Sequence, residues 1–186
     1  MTTIIGISGS LRKASLNASL LLAAVEVASA DTHVEIASIR DIPLYDEDFE
    51  TAAGIPNVVS ELKDRIASSD GLLLVTPEYN NSLPGVFKNA IDWLSRPVRD
   101  IKRVFGGRPV ALMGATPGPG GTILAQNAWL PVLRTLGMNP WFGARMHVSS
   151  AARLFDNNGK LVDEQTRERL KSFVAGFEEF IRQQRA

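Results

Sequence analysis

The chain has 186 residues, 45% of them hydrophobic and 22% charged, which suits one domain (1–186) with a sizeable buried core. Its 20 basic and 20 acidic residues cancel, removing the electrostatic case for nucleic acid or an anionic membrane as partner. The absence of cysteine excludes disulfides, thiolate nucleophiles and iron–sulfur ligation, so any redox chemistry must come from a cofactor. No apolar run nears the ~20 residues that span a bilayer, and no charged segment followed by an apolar one opens the chain as a secretory signal would. A cytoplasmic location is the default expectation.

Apolar runs and helical periods alternate along the sequence. A strand is expected over 4–8, then a helix over 16–28 with Leu16, Leu20, Leu21, Ala24 and Val27 at helical spacing. A strand over 33–39, near the sheet edge, precedes the one long irregular segment, 41–56, a length at which loops are often functional. The 58–68 stretch reads as a helix, and 71–76 as a strand covered on both faces. A helix over 85–95, a buried strand over 109–115 and a helix over 122–136 follow, the last expected to kink or restart at Pro131. The 138–142 stretch is expected as a last strand, and 163–184 as a long amphipathic closing helix. This alternation predicts an α/β, flavodoxin-like three-layer sandwich with a five-stranded parallel sheet in the order 2-1-3-4-5, its ligand at the carboxyl ends of the strands.

Three strand-to-helix loops should then meet at one edge: 9–17, 77–85 and 116–121. In the first, Gly9-Ser10-Leu11-Arg12-Lys13-Ala14-Ser15-Leu16-Asn17 runs from a strand into a helix N-terminus, where unpaired amides and the helix dipole favour an anion. Ser10, Ser15 and Asn17 offer neutral donors, and Arg12 a planar cationic fork. The plainer alternative is a serine N-cap with a solvated arginine. Neither the dinucleotide pattern G-x-G-x-x-G nor a Walker loop is present. A hydroxyl-rich loop with few glycines suits a terminal monophosphate, which points towards a mononucleotide such as FMN. In the second loop, Pro77 and Pro84 stiffen a stretch in which Tyr79 gives a flat surface with a polar tip and Asn80 can donate and accept. That is what a flavin ring edge would use; the alternative is a proline-bracketed turn with an incidental tyrosine.

Ser10-Leu11-Arg12-Lys13-x-Ser15-x-Asn17, followed by Pro77-Glu78-Tyr79-Asn80-x-Ser82-x-Pro84-Gly85-x-Phe87-Lys88-Asn89-Ala90-Ile91-Asp92-Trp93, resembles the NADPH-dependent FMN reductase family. Within it the similarity is to the soluble quinone/chromate reductases, and Asp41-Ile42-Pro43-Leu44-Tyr45-Asp46-x-Asp48 is similar as well. The resemblance implies a homodimer or tetramer carrying FMN, with NADPH or NADH as co-substrate and a quinone or similar small molecule as acceptor. It implies cofactor contacts from Ser10, Leu11, Arg12, Ser15, Leu16 and Asn17 in the first loop. Pro77, Glu78, Tyr79, Asn80 and Ser82 follow in the second, and Ala115, Thr116, Pro117 and Gly118 in the third. Thr116 stands where relatives usually carry serine, and a hydroxyl is kept. Ile123 and Gln126 replace an arginine and a tyrosine that chromate-reducing relatives associate with tetramer contacts.

The implied activity is ping-pong hydride transfer from NAD(P)H through bound FMN to the acceptor, with no catalytic side chain required. Amides of the third loop and the first-loop helix dipole are expected to steady the anionic reduced cofactor. Release of the reduced flavin, or service as an electron carrier, are the alternatives. A carrier shields its flavin between aromatic rings and often has an acidic face, whereas Tyr79 is the lone aromatic in the candidate ring loops. A phosphoryl-transfer enzyme or regulatory module would need a nucleophile or metal cluster, and none is evident.

Other residues are read as structural. Asp46, Glu47, Asp48 and Glu50 read as an exposed acidic loop, or one reaching over a dimer interface, rather than metal ligands. His33 and His147 read as structural or surface residues. Trp93 is expected in packing or dimer contact, and Trp129 and Trp141 in the core. Arg96, Arg99, Lys102, Arg103 and Arg108 read as a solvated cluster, with attraction of the NADPH 2′-phosphate as the sharper reading.

Overall fold

A computed structural model describes residues 1–185. The strands β1 (Thr2–Ser8), β2 (Thr32–Ala37), β3 (Gly71–Val75), β4 (Pro109–Ala115), β5 (Asn139–Pro140) and β6 (Met146–Val148) form one sheet. All its pairings are parallel, in the order β2-β1-β3-β4-β5, with β6 also against β4. The helices are α1 (Leu16–Val27), α2 (Glu47–Ala53), α3 (Asn57–Ser68), α4 (Gly85–Leu94), α5 (Ile101–Val104), α6 (Ile123–Thr135) and α7 (Glu164–Arg185).

Side chains of a strand alternate between faces, and the central strands are apolar on both. Ile5, Ile7, Leu72, Leu74 and Val110 pack with α3, α4 and α6 through Leu62, Ile66, Phe87, Ile91, Trp129 and Leu133. Ile4, Leu73, Val75, Ala111 and Met113 pack on the other face with Leu20, Leu21, Phe173, Phe177 and Ile181 of α1 and α7. The expected sandwich and strand order are therefore observed.

The departures have local causes. The last strand is two pieces on one side of β4: Asn139 and Pro140 pair with Pro109 and Val110, and Met146–Val148 with Met113–Ala115. Between them Trp141 turns its indole onto Phe173 and Phe177 of α7, with ring centroids 5.1 and 5.9 Å away. That anchor takes 142–145 off the ladder, so the single strand expected over 138–142 is broken. The helix α6 runs through Pro131 without interruption. Pro131 forfeits only a hydrogen bond to the carbonyl of Asn127, an exposed residue whose carbonyl can be met by water.

The segment expected to be irregular, 41–56, contains α2, whose N-cap Asp46 accepts from the amides of Asp48 and Phe49 at 2.9 and 3.4 Å. It straps onto α4. The Asn89 side chain donates to Pro43 O and accepts from Tyr45 N at 2.8 Å each, the Trp93 indole donates to Pro43 O at 2.9 Å, and Arg96 Nε donates to Glu50 at 2.8 Å.

The basic cluster is largely spent in the fold. Arg96 pairs with Glu50, Arg103 with Asp64 and Asp100, and the Arg108 guanidinium caps the carbonyls of Ala67, Ser69 and Val104. Arg108 precedes β4, at the amino ends of the strands and opposite the edge where the three loops meet, while Arg96 is held by the strap. The 2′-phosphate reading has no geometric support.

Lys63, fully buried, is held by Asp100 at 2.6 Å and by the carbonyl of Arg96. Hydrogen bonds from Lys63 and then Arg103 hold the Asp100 carboxyl below the usual carboxylate range. A carboxylate with a depressed folded pKa contributes stability above its unfolded value, ~4, and loses it as pH falls through the folded value. The Asp100→Asn variant should lose roughly 3 kcal/mol at neutral pH by stranding the buried ammonium. Its deficit relative to the unmodified chain should shrink below pH ~4, as measured by urea denaturation across pH.

Candidate active site

The carboxyl ends of β1, β3 and β4 carry the three loops, and they enclose an open cleft. It is lined by Ser10, Arg12, Ser15, Leu16 and Asn17, by Pro77, Glu78 and Tyr79, and by Ala115, Thr116 and Pro117. All eleven are among the residues singled out in the sequence. Leu11, Asn80, Ser82 and Gly118 are not part of that lining. Leu11 packs into the core beneath the loop, and its carbonyl accepts from Arg40 at 2.6 Å.

The core next to the first loop is closely fitted. A Cβ on Gly9 would lie 2.1 Å from Phe87 Cδ1, so no larger residue passes there without moving a buried ring. Phe87 stacks edge-on against Trp129 at 4.9 Å, and the Trp129 indole donates to Thr76 Oγ1 at 3.1 Å. Both rings are fully buried. Trp93 is also fully buried, so its role is packing.

In the first loop, Ser15 caps α1, its hydroxyl accepting from Ala18 N at 3.2 Å. The amides of Leu16 and Asn17, at the opening of the helix, have no acceptor within it. Arg12 is exposed, its guanidinium resting on the carbonyl of Ala14 at 2.6 Å. Asn17 is committed elsewhere: its amide donates to Ala115 O at 2.9 Å and accepts from Ala115 N at 2.8 Å. It joins the loop after β1 to the end of β4, across the top of β3 that lies between them. The sequence marked Asn17 as a donor to an anion; the structure makes it a bracket.

The second loop turns back on itself. Tyr79 and Ser82 exchange backbone hydrogen bonds at 3.1 and 3.0 Å, with Asn80 and Asn81 both at positive φ between them. This is the hairpin geometry that asparagine tolerates best after glycine. Tyr79 is left half exposed at the cleft wall. Glu78 extends across the cleft wall and accepts from the amides of Leu124 and Ala125 at 2.9 and 3.0 Å. It is the cap of α6, whose own preceding residue, Thr122, is left-handed and makes no cap bond. Nothing local in the sequence announces this, because Glu78 and Leu124 are 46 positions apart.

The first half of the third loop is narrower in what it offers than the sequence suggests. Ala115 N donates to Asn17, Thr116 N to Val148 O at 2.9 Å and Gly118 N to Thr116 Oγ1 at 3.3 Å, while Pro117 has no amide proton. The amides at 115–118 are therefore occupied and do not face an anion. Ser150 N to Gly118 O and Ala151 N to Thr116 O, both 2.9 Å, tie the loop to the segment after β6.

His147 supports this loop from behind. Burial lowers its pKa, Arg145 and Arg169 act in the same sense, and the backbone of Gly121 opposes them. His33 is exposed on β2, so neither histidine lines the cleft. Among the described residues no group of histidine, aspartate or glutamate is placed to hold a metal. Glu50 is engaged by Tyr45 and Arg96, and Asp46 by its own helix.

The donor set suits a flavin mononucleotide. One end of the cleft has hydroxyls, helix-opening amides and a cation, and the other has the flat apolar walls of Pro77, Tyr79 and Pro117. In addition, the Ser8 hydroxyl, buried at the end of β1, has no hydrogen-bond partner among the described residues.

A parallel sheet of this order with its cleft at the strand carboxyl ends defines a flavodoxin-like α/β protein. The family model for NADPH-dependent FMN reductase matches residues 2–152, and the chain belongs to that family of FMN- and NAD(P)H-using oxidoreductases. It is 39% identical over 182 residues to an NAD(P)H-dependent FMN reductase of Pseudomonas aeruginosa, covering 98% of this chain and 96% of that one. It is 38% identical over 177 residues to a 2-hydroxy-1,4-benzoquinone reductase of a Burkholderia species, covering 95% and 94%. Among solved structures, FerB, a flavoenzyme NAD(P)H:(acceptor) oxidoreductase from Paracoccus denitrificans, superimposes with a TM-score of 0.88 at 36% identity over 98% of each chain.

The bracket makes a direct prediction. Asn17→Ala should strand the amide and carbonyl of buried Ala115, at roughly 1–3 kcal/mol per group. In chemical denaturation the loss should exceed that of Ser10→Ala, whose hydroxyl makes only a 3.4 Å contact with Arg12 N.

Proposed function

We propose that the chain works as one FMN-binding unit that passes hydride equivalents from NAD(P)H to quinones or similar small acceptors, with the FMN phosphate in the 10–17 loop. The observation that carries this is the meeting of three strand-end loops in one cleft, cationic and hydroxyl-lined at one end and flat and apolar at the other. The relatives' activities, FMN reduction and quinone reduction, agree with it.

FMN, when bound, supplies the two-electron chemistry; the chain supplies position. Arg12 exchanges the Ala14 carbonyl for phosphate oxygens, while Ser10, Ser15 and the amides of Leu16 and Asn17 complete the phosphate contacts. The 79–82 hairpin fixes the backbone of the second loop. Phe87 and Trp129 keep the core next to the first loop dry. Tyr79 contributes one flat side chain and stays half exposed, leaving room for a nicotinamide and then an acceptor. With no second aromatic to cover the ring, an enzyme is favoured over an electron carrier.

The same reading includes a homo-oligomer in the cytoplasm. The apolar side chains of Leu44, Phe49, Val86 and Val98, all exposed on or beside the strap and α4, support a contact between copies there.

Purified protein should be yellow, bleach with NADPH or NADH under anaerobic conditions and recover on addition of a quinone; a preparation that ignores added FMN would refute the reading. Arg12→Ala should weaken FMN binding by roughly 1.5–3 kcal/mol, the value of a charge-assisted hydrogen bond, in a fluorescence titration. Unchanged affinity would remove the phosphate from this loop.

A further inference from the structure

Glu78 is the one carboxylate in the cleft wall, and it is not free. Both its hydrogen bonds go to the first turn of α6, 46 and 47 positions away, joining the second loop to the helix that follows the third. The amino end of a helix carries a partial positive charge of about half a unit. At α6 that charge is covered by a full negative one. At the end of β4 the amides of Ala115, Thr116 and Gly118 do not offset it, being bonded within the protein.

The wall formed by the second and third loops is thus arranged against an extra negative charge in the cleft. Flavin gains negative charge on two-electron reduction, so such a wall disfavours the reduced form relative to the oxidised form.

We propose that Glu78 is a positioning residue with an electrostatic task. It braces the second loop against α6 and masks the helix's positive end, so that FMN in this cleft is held at a lower reduction potential and gives up its electrons readily. This rests on the FMN reading above. Removing the carboxylate charge acts twice in one direction, deleting a negative charge and uncovering a positive helix end. Both changes favour reduced flavin.

The test compares the full-length protein with Glu78→Gln and Glu78→Asp. Anaerobic titrations measure the dissociation constants for oxidised FMN and for dithionite-reduced FMN, and thermal melts of the FMN-free proteins report the brace. Glu78→Gln preserves length and one acceptor but not charge. It should tighten reduced FMN about tenfold relative to oxidised FMN, equivalent to a rise of about 30 mV for a two-electron couple. Glu78→Asp preserves the charge but falls short of the two amides. It should weaken both forms together, leave their ratio within twofold and lower the melting temperature.

A purely structural glutamate would move melting temperatures and both constants while leaving the ratio untouched in Glu78→Gln. That result overturns the proposal, as does a ratio shifted equally by both variants. Failure of the unmodified protein to bind FMN refutes the FMN reading and the proposal with it. Binding with an unmoved ratio in Glu78→Gln refutes the proposal alone.

Discussion

The cleft depends on a side chain imitating backbone. The loop after β1 and the end of β4 are separated by β3, and no main-chain ladder can reach from one to the other. Asn17 closes that gap with the donor–acceptor pair of an amide, meeting the amide and carbonyl of Ala115 as a neighbouring strand would. Aspartate has no donor for the carbonyl, and serine and threonine are too short to give two parallel bonds. Because Asn17 is the second residue of α1, the bracket also fixes where that helix begins and where Ser15 and Leu16 present themselves.

Much of this was legible in the chain itself. The long apolar strands of an α/β sheet are readable because burial on both faces leaves little room for other residue types. The three loops are readable because Gly, Pro, Ser, Thr and Asn gather in short local patterns where a strand ends and a helix opens. Resemblance added the assignments at Glu78, Ala115 and Gly118, which no local pattern required. What stayed hidden was long-range. The partner of Glu78 lies on another helix, and the break after Pro140 is set by Trp141 finding two phenylalanines on α7. The α2 helix has a good N-cap in Asp46, but the acidic run after it has the composition of a solvated loop. Arg96, Arg103 and Arg108 formed a cluster on paper, yet each had a fold partner that only the packed structure supplies.

The polar groups around the cleft divide by the loop that carries them. Those of the first loop, at Ser10, Arg12 and the opening of α1, have weak or exchangeable partners. Those of the second and third loops, at Ala115, Thr116, Gly118 and Glu78, are already satisfied within the protein. A ligand would therefore be gripped by the first loop and shaped by the other two. The rigidity of those two comes from bonds that do not have to be remade when a ligand arrives, which limits the reorganisation that binding requires.

The family match ends at residue 152, just past Ala151, the last residue to bond the third loop. The closing helix α7 begins at Glu164 and touches none of that loop's hydrogen bonds, but it covers Leu73, Val75 and Met113 with Phe173, Phe177 and Ile181. It presses closely at Gly71, where a Cβ would sit 2.7 Å from Ile181. A chain cut by a protease behind Arg153 would keep every tie to the third loop and lose the lid of one sheet face. Its apolar strands would be laid open to aggregation, and Val75 and Ala115, which carry the second and third loops, would lose the core that backs them.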